Sequence, residues 1–378
     1  MTGPEPPPGA ASYRAAGVDY ETLDAGKRQA IAEALSTSSL LIARGGRALD
    51  ASRGEPAFVF ELDGRAFAFV VEGLGTKSMI ARHVLEEQGI NRFGDVAYDT
   101  VAAICNDLCC VGALPLVVNA YFATGASEWY RESERGVALI EGWRRACVDA
   151  GCTWGGGESP SLPGLLDKRE IELAGAAVGV VPAGRRPLLG EDLQPGDEIV
   201  LVASSGLHAN GASLARLLAG RLPDGYATEL STDRTSPALT FGEALLEPSV
   251  MYVGLVQALL EEGLPLRYIS HITGHGLLKL MRPPRALTYR IERLPQVPRV
   301  LSFMVEQAQM DEHAAYSTFN MGSGYALYGA PGTGATIVAV AERLGLSALV
   351  AGRVEEGPRQ VILEPVGVRF AGEELDLS

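Results

Sequence analysis

The chain has 378 residues, a hydrophobic share of 47% and a formal net charge of −14. This length exceeds what a single core usually supports, so the sequence predicts two domains, and we place them at residues 1–182 and 183–378. The negative charge argues against nucleic acid or an anionic membrane as the main partner, because both attract basic surfaces. No apolar run reaches the roughly 18 residues that a membrane-spanning helix needs.

The five cysteines lie in the first half of the chain and form no C-x-x-C pair; they are Cys105, Cys109, Cys110, Cys147 and Cys152. Five is an odd number, and the proline-rich, acidic N-terminus does not look like a secretory signal. We therefore expect reduced, buried thiols and a cytoplasmic protein.

The predicted elements of the first half mix helices and strands. A helix is expected at 23–35, followed by a hairpin of strands 57–62 and 66–71 around Asp63-Gly64. Further elements are helices at 99–111 and 136–150 and a strand at 171–181. A proline-rich, charged stretch at 182–197 then marks the domain boundary.

The second half continues with a strand, a glycine-bearing loop and a helix at 199–203, 204–211 and 212–219. Helices are expected at 244–262 and 336–344, and strands at 324–327 and 361–364. This order of elements predicts an α/β (α+β) protein.

Acidic residues recur in three short segments, two of which also contain glycine. Residues 72–77 read EGLGTK, residues 106–108 NDL and residues 156–159 GGES. Glycine lets backbone amides approach a phosphate, and carboxylates bind its magnesium, so the combination favours ATP-dependent chemistry. The spacing in the first segment is not that of a P-loop, and taken alone it is more typical of a turn.

The acids of the predicted helix at 99–111 leave alternatives open. Asp99 and Asp107 are separated by about 12 Å along a helix, too far to share one ion easily. Asp107 would then bind an ion together with Glu72. Asp99 either binds a second magnesium ion or is an acidic residue of the first helical turn that the helix dipole favours. A carboxylate and an amide in an otherwise apolar stretch favour a functional role for Asn106 and Asp107. Glu158 either contacts a ligand or is a solvated turn residue.

The loop at 204–211 reads SSGLHANG and offers several hydrogen-bonding groups at a helix start. His208 in this loop could contact a substrate phosphate or transfer a proton. A zinc site at His271 and His275 is not expected, because they do not lie on a clear helix.

These segments occur in the same order as two more, ITGHG at 272–276 and TFNMGSG at 318–324. With SYRAAGVD at 12–19 and YFATG at 121–125, the collinear set resembles the phosphoribosylformylglycinamidine cyclo-ligase family, also called AIR synthetase. The resemblance implies an N-terminal domain whose sheet joins that of a partner in a homodimeric barrel. It also implies an α/β C-terminal domain, with ATP and a small ribonucleotide substrate bound in clefts between the domains.

By this resemblance, ATP phosphorylates the formyl oxygen of formylglycinamidine ribonucleotide, and ring closure expels phosphate to give aminoimidazole ribonucleotide. The implied catalytic residues are Asp107 and His208, and the implied magnesium ligands are Glu72, Asp99, Asp107 and Glu158. Lys77 would neutralise phosphate. The remaining residues implied to bind ATP or substrate are Gly75, Thr76, Asn106, Gly157, Ser205, Gly206, Asn210, Thr273 and Gly274.

Three residues depart from the family pattern: Glu72 replaces an aspartate, Ser161 a glutamate and His275 a glycine. They motivate two alternatives, a divergent relative that phosphorylates another amide or ribonucleotide and a catalytically silent nucleotide-binding protein. The absence of cysteine before Cys105 and after Cys152 argues against the selenophosphate synthetase and hydrogenase maturation relatives.

Overall fold

The computed structural model describes residues 20–131, 134–230 and 239–375. The predicted motif at 12–19 lies outside these residues. The helices of the first half are α1 (Tyr20–Ser36), α2 (Lys77–Gln88), α3 (Phe93–Cys110) and α4 (Arg135–Asp149). Its strands are β1 (Gly46–Ala48), β2 (Phe58–Leu62), β3 (Arg65–Gly73), β4 (Leu114–Thr124), β5 (Thr153–Glu158) and β6 (Ile171–Val180).

The helices of the second half are α5 (Ala212–Ala219), α6 (Phe241–Leu245), α7 (Val253–Glu261), α8 (Arg299–Ala308), α9 (Glu312–Thr318) and α10 (Gly334–Arg343). Its strands are β7 (Glu198–Ala203), β8 (Leu266–His271), β9 (Leu287–Ile291), β10 (Ser323–Gly329), β11 (Ala348–Glu356), β12 (Gln360–Leu363) and β13 (Val368–Ala371). No helix within the described ranges is long and apolar enough to cross a membrane.

Two sheets organise these elements. The first has the order β1-β2-β3-β6-β4-β5, with only β4 and β5 parallel, and the second has the order β13-β12-β9-β11-β7-β10-β8, with only β12 and β9 parallel. Every strand up to 180 belongs to the first sheet and every strand from 198 to the second. The mixed α/β architecture predicted from sequence is confirmed, and the domain limits at 182 and 183 stay a prediction.

One face of the first sheet is covered and the other is not. Helix α3 packs on β3, β4 and β6, and α4 packs on α3. On the opposite face, side chains alternate outward along β3 and β4, and several of them are large, apolar and exposed: Phe69, Val71, Leu116 and Tyr121. This alternation is that of a strand with one buried face, but the outer face is more apolar than a solvated sheet requires.

Several predicted elements are confirmed. The hairpin forms β2 and β3, and its turn residues Asp63 and Gly64 have φ angles of 49° and 73°, as a tight two-residue hairpin turn requires. Helix α5 has the predicted limits. The helix expected at 99–111 begins earlier, at Phe93, in α3.

The single helix predicted at 244–262 is wrong, because the chain forms α6 and α7 with an irregular segment between them. This segment contains Pro248, which has no amide proton and clashes with the preceding turn in a helix interior. Backbone groups of the next residues are instead bonded to buried side chains of α3: Ser249 N to Asp99 and Tyr252 N to Asn106. Tertiary hydrogen bonds therefore replace helical ones here.

A close contact between glycines fixes the crossing of α3 and α4. A Cβ atom added at Gly142 would lie 2.0 Å from the carbonyl oxygen of Gly94. We expect Gly142→Ala to lower the free energy of unfolding by about 2–3 kcal/mol, because backbone atoms of α3 would have to move. Urea unfolding measures this. Gly254→Ala is the control, since an added Cβ there meets nothing within 4 Å; equal stability loss in both variants would contradict the packing argument.

Candidate active site

A cavity of about 410 Å³ lies between the two halves of the chain. Glu72, near the end of β3, and Asp107, in the last turn of α3, line it from the first half. The segment before β2 contributes Arg53 and Glu55, and the second half contributes Thr273, His275, Lys279 and Arg282. Glu72 and Asp107 thus give the cavity an acidic side from the first half of the chain, and the second half gives it a largely basic side.

The carboxyl groups of Glu72 and Asp107 are neighbours, and their environments differ. Burial, together with the charge of Asp107, raises the pKa of Glu72 to about 7. Burial would also raise the pKa of Asp107, but it is lowered overall, because His271 hydrogen-bonds to this carboxylate and Lys279 and Arg282 add positive charge. The His271 Nδ1 to Asp107 Oδ1 distance is 2.7 Å. Asp107 is therefore held ionised beside a carboxyl that can carry a proton near neutral pH.

Asn106 connects the two halves. Its Nδ2 donates to the carbonyl oxygen of Val250 at 2.9 Å, and its Oδ1 accepts from the amide of Tyr252 at 2.8 Å. The hydroxyl of Tyr325 donates to the Asn106 carbonyl oxygen at 2.7 Å. Each polar group of this buried side chain thus bonds to the second half, as burial of an amide requires.

Lys77 and Asp99 form an ion pair in which neither side chain has any exposed area. Lys77 Nζ also donates to the carbonyl oxygen of His208 at 2.7 Å, and Asp99 Oδ1 accepts from the amide of Ser249 at 2.6 Å. Sequence reasoning predicted a phosphate contact for Lys77 and a metal contact for Asp99. The structure instead places these two charges against each other, away from the cavity.

His208 lies in the loop before α5, as predicted, but it is buried and does not line the 410 Å³ cavity. Its φ of 60° is left-handed, which is unusual outside glycine. Nε2 accepts a 3.2 Å hydrogen bond from the amide of Ser205, so in a neutral ring the proton is on Nδ1, which has no partner among the described residues. Burial and the charges of His271 and Lys77 hold the pKa of His208 well below its ordinary value.

The other predicted contacts fall into two groups. Thr273 Oγ1, on the cavity wall, accepts a hydrogen bond from Lys279, and Gly274 is buried next to it. The remaining residues lie elsewhere. Gly75 and Asn210 are exposed, Thr76 Oγ1 lies 3.2 Å from Ser213 Oγ, Ser205 Oγ donates to the carbonyl oxygen of Pro248, and the Gly206 carbonyl oxygen accepts from Asn320.

Glu158 is separated from the acid pair within one chain. It is exposed at the end of β5, and two strands, β4 and β6, lie between β5 and β3. Three strand spacings amount to about 14 Å, so Glu158 and Glu72 do not share a cation in one chain. Gly157, the neighbour of Glu158, lies on the same edge strand.

The prediction from sequence did not include four charged residues of the cavity: Arg53, Glu55, Lys279 and Arg282. For Lys279, the sequence does contain a signal of a functional role. Lys279 lies among Leu277, Leu278, Leu280 and Met281, all of them buried, and a charged side chain within an apolar run is costly unless it has a role.

The acid pair fits one magnesium ion. No group of three or more His, Cys, Asp or Glu side chains among the described residues is arranged to hold a metal by itself. Magnesium is commonly bound by one or two carboxylates, with substrate phosphates and water as its other ligands. Glu72 and Asp107 supply two adjacent carboxyl groups that open to a cavity, and they match that donor set.

Two mixed sheets joined across a charged cavity define a two-domain α/β architecture. It is shared with the crystal structure of hydrogenase maturation protein HypE in complex with ATP, with a TM-score of 0.57 at 16% identity over 80% of this chain and 83% of that one. The AIR synthase related protein N-terminal domain matches residues 54–181, and the corresponding C-terminal domain matches residues 194–363. The chain belongs to the AIR synthase related family.

Similar curated proteins are named phosphoribosylformylglycinamidine cyclo-ligase. The protein of Anaeromyxobacter sp. (strain Fw109-5) is 36% identical over 301 residues, which cover 78% of this chain and 82% of that protein. The protein of Geobacillus kaustophilus (strain HTA426) is 33% identical over 307 residues, with coverages of 80% and 81%. The family resemblance inferred from the motifs is confirmed.

The Lys77 and Asp99 pair gives a test of its structural role. We expect Lys77→Met to lower the free energy of unfolding by about 3–5 kcal/mol, because it leaves a buried carboxylate without its cation. The double variant with Asp99→Asn should regain a large part of this loss. Urea unfolding measures both, with Lys168→Met at an exposed lysine as the control. Wild-type stability of Lys77→Met together with weakened nucleotide binding would instead support a phosphate contact.

Proposed function

We propose that the chain is an ATP-dependent cyclo-ligase that converts formylglycinamidine ribonucleotide into aminoimidazole ribonucleotide, a step of purine biosynthesis. The observation that carries this proposal is the similarity, at more than 30% identity over about four fifths of the chain, to proteins named for this reaction. The cavity supports it, because the acid pair and the basic wall suit a magnesium nucleotide and an anionic substrate. The ATP named with the HypE structure agrees with nucleotide binding.

The reaction requires positioning and charge compensation. ATP transfers its γ-phosphoryl group to the formyl oxygen and leaves as ADP; the amidine nitrogen that carries the ribose then attacks the activated formyl carbon, loses its proton and displaces phosphate, which closes the imidazole ring. Glu72 and Asp107 would hold the magnesium ion, which neutralises phosphate charge when bound. His271 fixes the orientation and charge of Asp107 through its 2.7 Å hydrogen bond. Lys279 and Arg282 bring positive charge to the opposite wall, where it can balance the negative charge of the substrate.

The other sequence-predicted residues have supporting roles in this proposal. His208 holds the amide of Ser205 and so orders the loop before α5. Lys77 and Asp99 stabilise the same region. Lys77 donates to the His208 carbonyl oxygen, and Asp99 accepts from the Ser249 amide. We therefore assign His208 as a positioning residue, while Glu72 and Asp107 would hold the magnesium ion.

A second candidate is a related enzyme that phosphorylates a different amide or ribonucleotide. His275 favours it, because this residue lines the cavity in a left-handed conformation, with φ of 70°, at the position where the family pattern has glycine. The purified protein incubated with formylglycinamidine ribonucleotide, ATP and magnesium distinguishes the two. Formation of aminoimidazole ribonucleotide supports the first, and its absence beside an active reference enzyme favours the second.

The cyclisation assay also tests the acid pair. We expect Asp107→Asn to lower kcat by about 100-fold or more, because the amide neither binds magnesium as a carboxylate does nor balances His271. The matched control is Asp95→Asn on the same helix, since Asp95 pairs with Arg92 and Arg145 outside the cavity. A thermal melt shows whether each variant is folded. Near-normal turnover of a folded Asp107→Asn protein would remove Asp107 from the mechanism.

We propose further that the protein is a cytoplasmic homodimer in which the outer faces of two N-terminal sheets meet. The exposed apolar side chains of β3 and β4 support this, because a solvated sheet face is normally polar. Stacked Phe60 and Phe67 continue the apolar face across β2, with ring centroids 5.7 Å apart. The five cysteines are unbonded, in keeping with a reducing compartment.

Val71 tests this interface. It is 63% exposed on β3, and Val148, on α4, is 64% exposed. We expect Val71→Asp to shift the protein from dimer to monomer in sedimentation velocity, because it buries a charge in an apolar interface. Val148→Asp serves as the matched control and should leave the dimer unchanged. A wild-type protein that sediments as a monomer at micromolar concentration would refute the dimer.

A further inference from the structure

A small side pocket opens next to the main cavity. It has a volume of about 90 Å³, and Arg53, Glu55 and Arg282 line both spaces. Arg359 adds a third arginine, so the described residues that line the side pocket include three arginines and one carboxylate, Glu55. The pocket is therefore a local concentration of positive charge in a chain whose net charge is −14.

Arg282 is the central residue of this pocket. Its side chain is 10% exposed, and its Nε and Nη1 have no hydrogen-bond partner among the described residues. The nearest carboxylate, Glu55, lies 4.0 Å from Nη1 and already accepts a 2.8 Å hydrogen bond from Tyr268. A buried guanidinium with unused donors is costly, which is a reason to expect that a ligand completes its hydrogen bonds.

The surrounding residues hold the pocket in shape without filling it. Arg359 donates to the carbonyl oxygens of Met281 and Arg282, and so fixes the backbone on both sides of the Arg282 Cα atom. The Arg53 guanidinium lies 4.4 Å from the ring centre of Phe58, while its Nε has no hydrogen-bond partner within the described part of the chain. Unused N–H groups of two arginines thus border the same space.

We infer that this side pocket binds a phosphate group, and specifically the phosphate monoester of the ribonucleotide substrate. Arginine matches phosphate oxygens with paired N–H donors, and a 90 Å³ space admits one phosphate group, whereas a magnesium triphosphate needs the larger cavity. The inference rests on the proposed function for the identity of the substrate. The inference assigns the two phosphate-bearing molecules to different sites. The nucleotide binds at Glu72 and Asp107, and the phosphate monoester binds at Arg53 and Arg282.

The test measures binding without catalysis. Titration calorimetry on the full chain uses ribose 5-phosphate as the probe, ribose as its neutral counterpart, and a non-hydrolysable ATP analogue with magnesium in a second arm. We expect Arg282→Gln to weaken ribose 5-phosphate binding by about tenfold or more and to weaken nucleotide binding by a clearly smaller factor, because Arg282 also brings positive charge near Asp107. Arg282→Lys, which keeps the charge but not the paired donors, should fall between Arg282→Gln and wild type.

Arg267→Gln is the matched control, because Arg267 is also partly buried near one carboxylate, Asp197 at 3.7 Å, but lies outside the side pocket. Arg53→Gln gives an independent measurement should Arg282→Gln fail to fold, and we expect it too to weaken ribose 5-phosphate binding. Unchanged binding of ribose 5-phosphate in the folded variants overturns the inference. A loss confined to the nucleotide arm, or equal losses in both arms, also overturns it.

The outcome is independent of the cyclisation assay. Arg282-dependent binding of ribose 5-phosphate in a protein that forms no aminoimidazole ribonucleotide would support the phosphate pocket while contradicting the proposed reaction. Cyclisation with an unchanged KM for the ribonucleotide in Arg282→Gln would support the reaction and refute the pocket.

Discussion

The polar face of α3 holds the two halves of the chain in register. Asn106 and Asp107 follow Asp99 by seven and eight residues, so all three lie on one side of a largely buried helix. Asp99 bonds to Ser249, Asn106 bonds to residues 250 and 252, and Asp107 bonds to His271. All three contacts reach the second half. Ser249, Tyr252 and His271 are buried, so a shift of one half against the other would leave charges or amides unpaired, at a cost of about 1–3 kcal/mol per group or more.

This constraint sets the electrostatics of the cavity. The bond between Asp107 and His271 brings β8 against the end of α3, and the chain that follows β8 carries Lys279 and Arg282 to the wall opposite Glu72. Because these side chains are mostly buried, charges on the two walls interact more strongly than they would at the surface. Burial is the largest cause of both the raised pKa of Glu72, about 7, and the lowered pKa of Lys279, about 8, and the attraction between these two groups opposes both shifts.

Sequence patterns predicted the parts of this arrangement that depend on local rules. Alternation and the Asp63-Gly64 turn gave β2 and β3, and a glycine-bearing loop before an apolar helical repeat gave α5. The proximity of Glu72 to Asp107 was also anticipated, since two carboxyl groups at element ends near glycines suit one ligand. The break between α6 and α7 was not, because helical periodicity contains no information about side chains of α3 that capture the backbone at 249–252.

The same limit applies to the assignment of charges. The family resemblance implied that Lys77 binds phosphate and Asp99 binds magnesium, but each of these two residues is the other's partner. A sequence shows that a buried charge needs compensation, and only the fold shows whether a neighbour or a ligand supplies it. Lys77 has an anion and a carbonyl oxygen as neighbours, whereas Arg282 keeps two nitrogens without a hydrogen bond among the described residues. For these two cations, unused hydrogen-bonding capacity rather than charge alone is therefore what separates the proposed ligand-binding group, Arg282, from the one that holds the fold, Lys77.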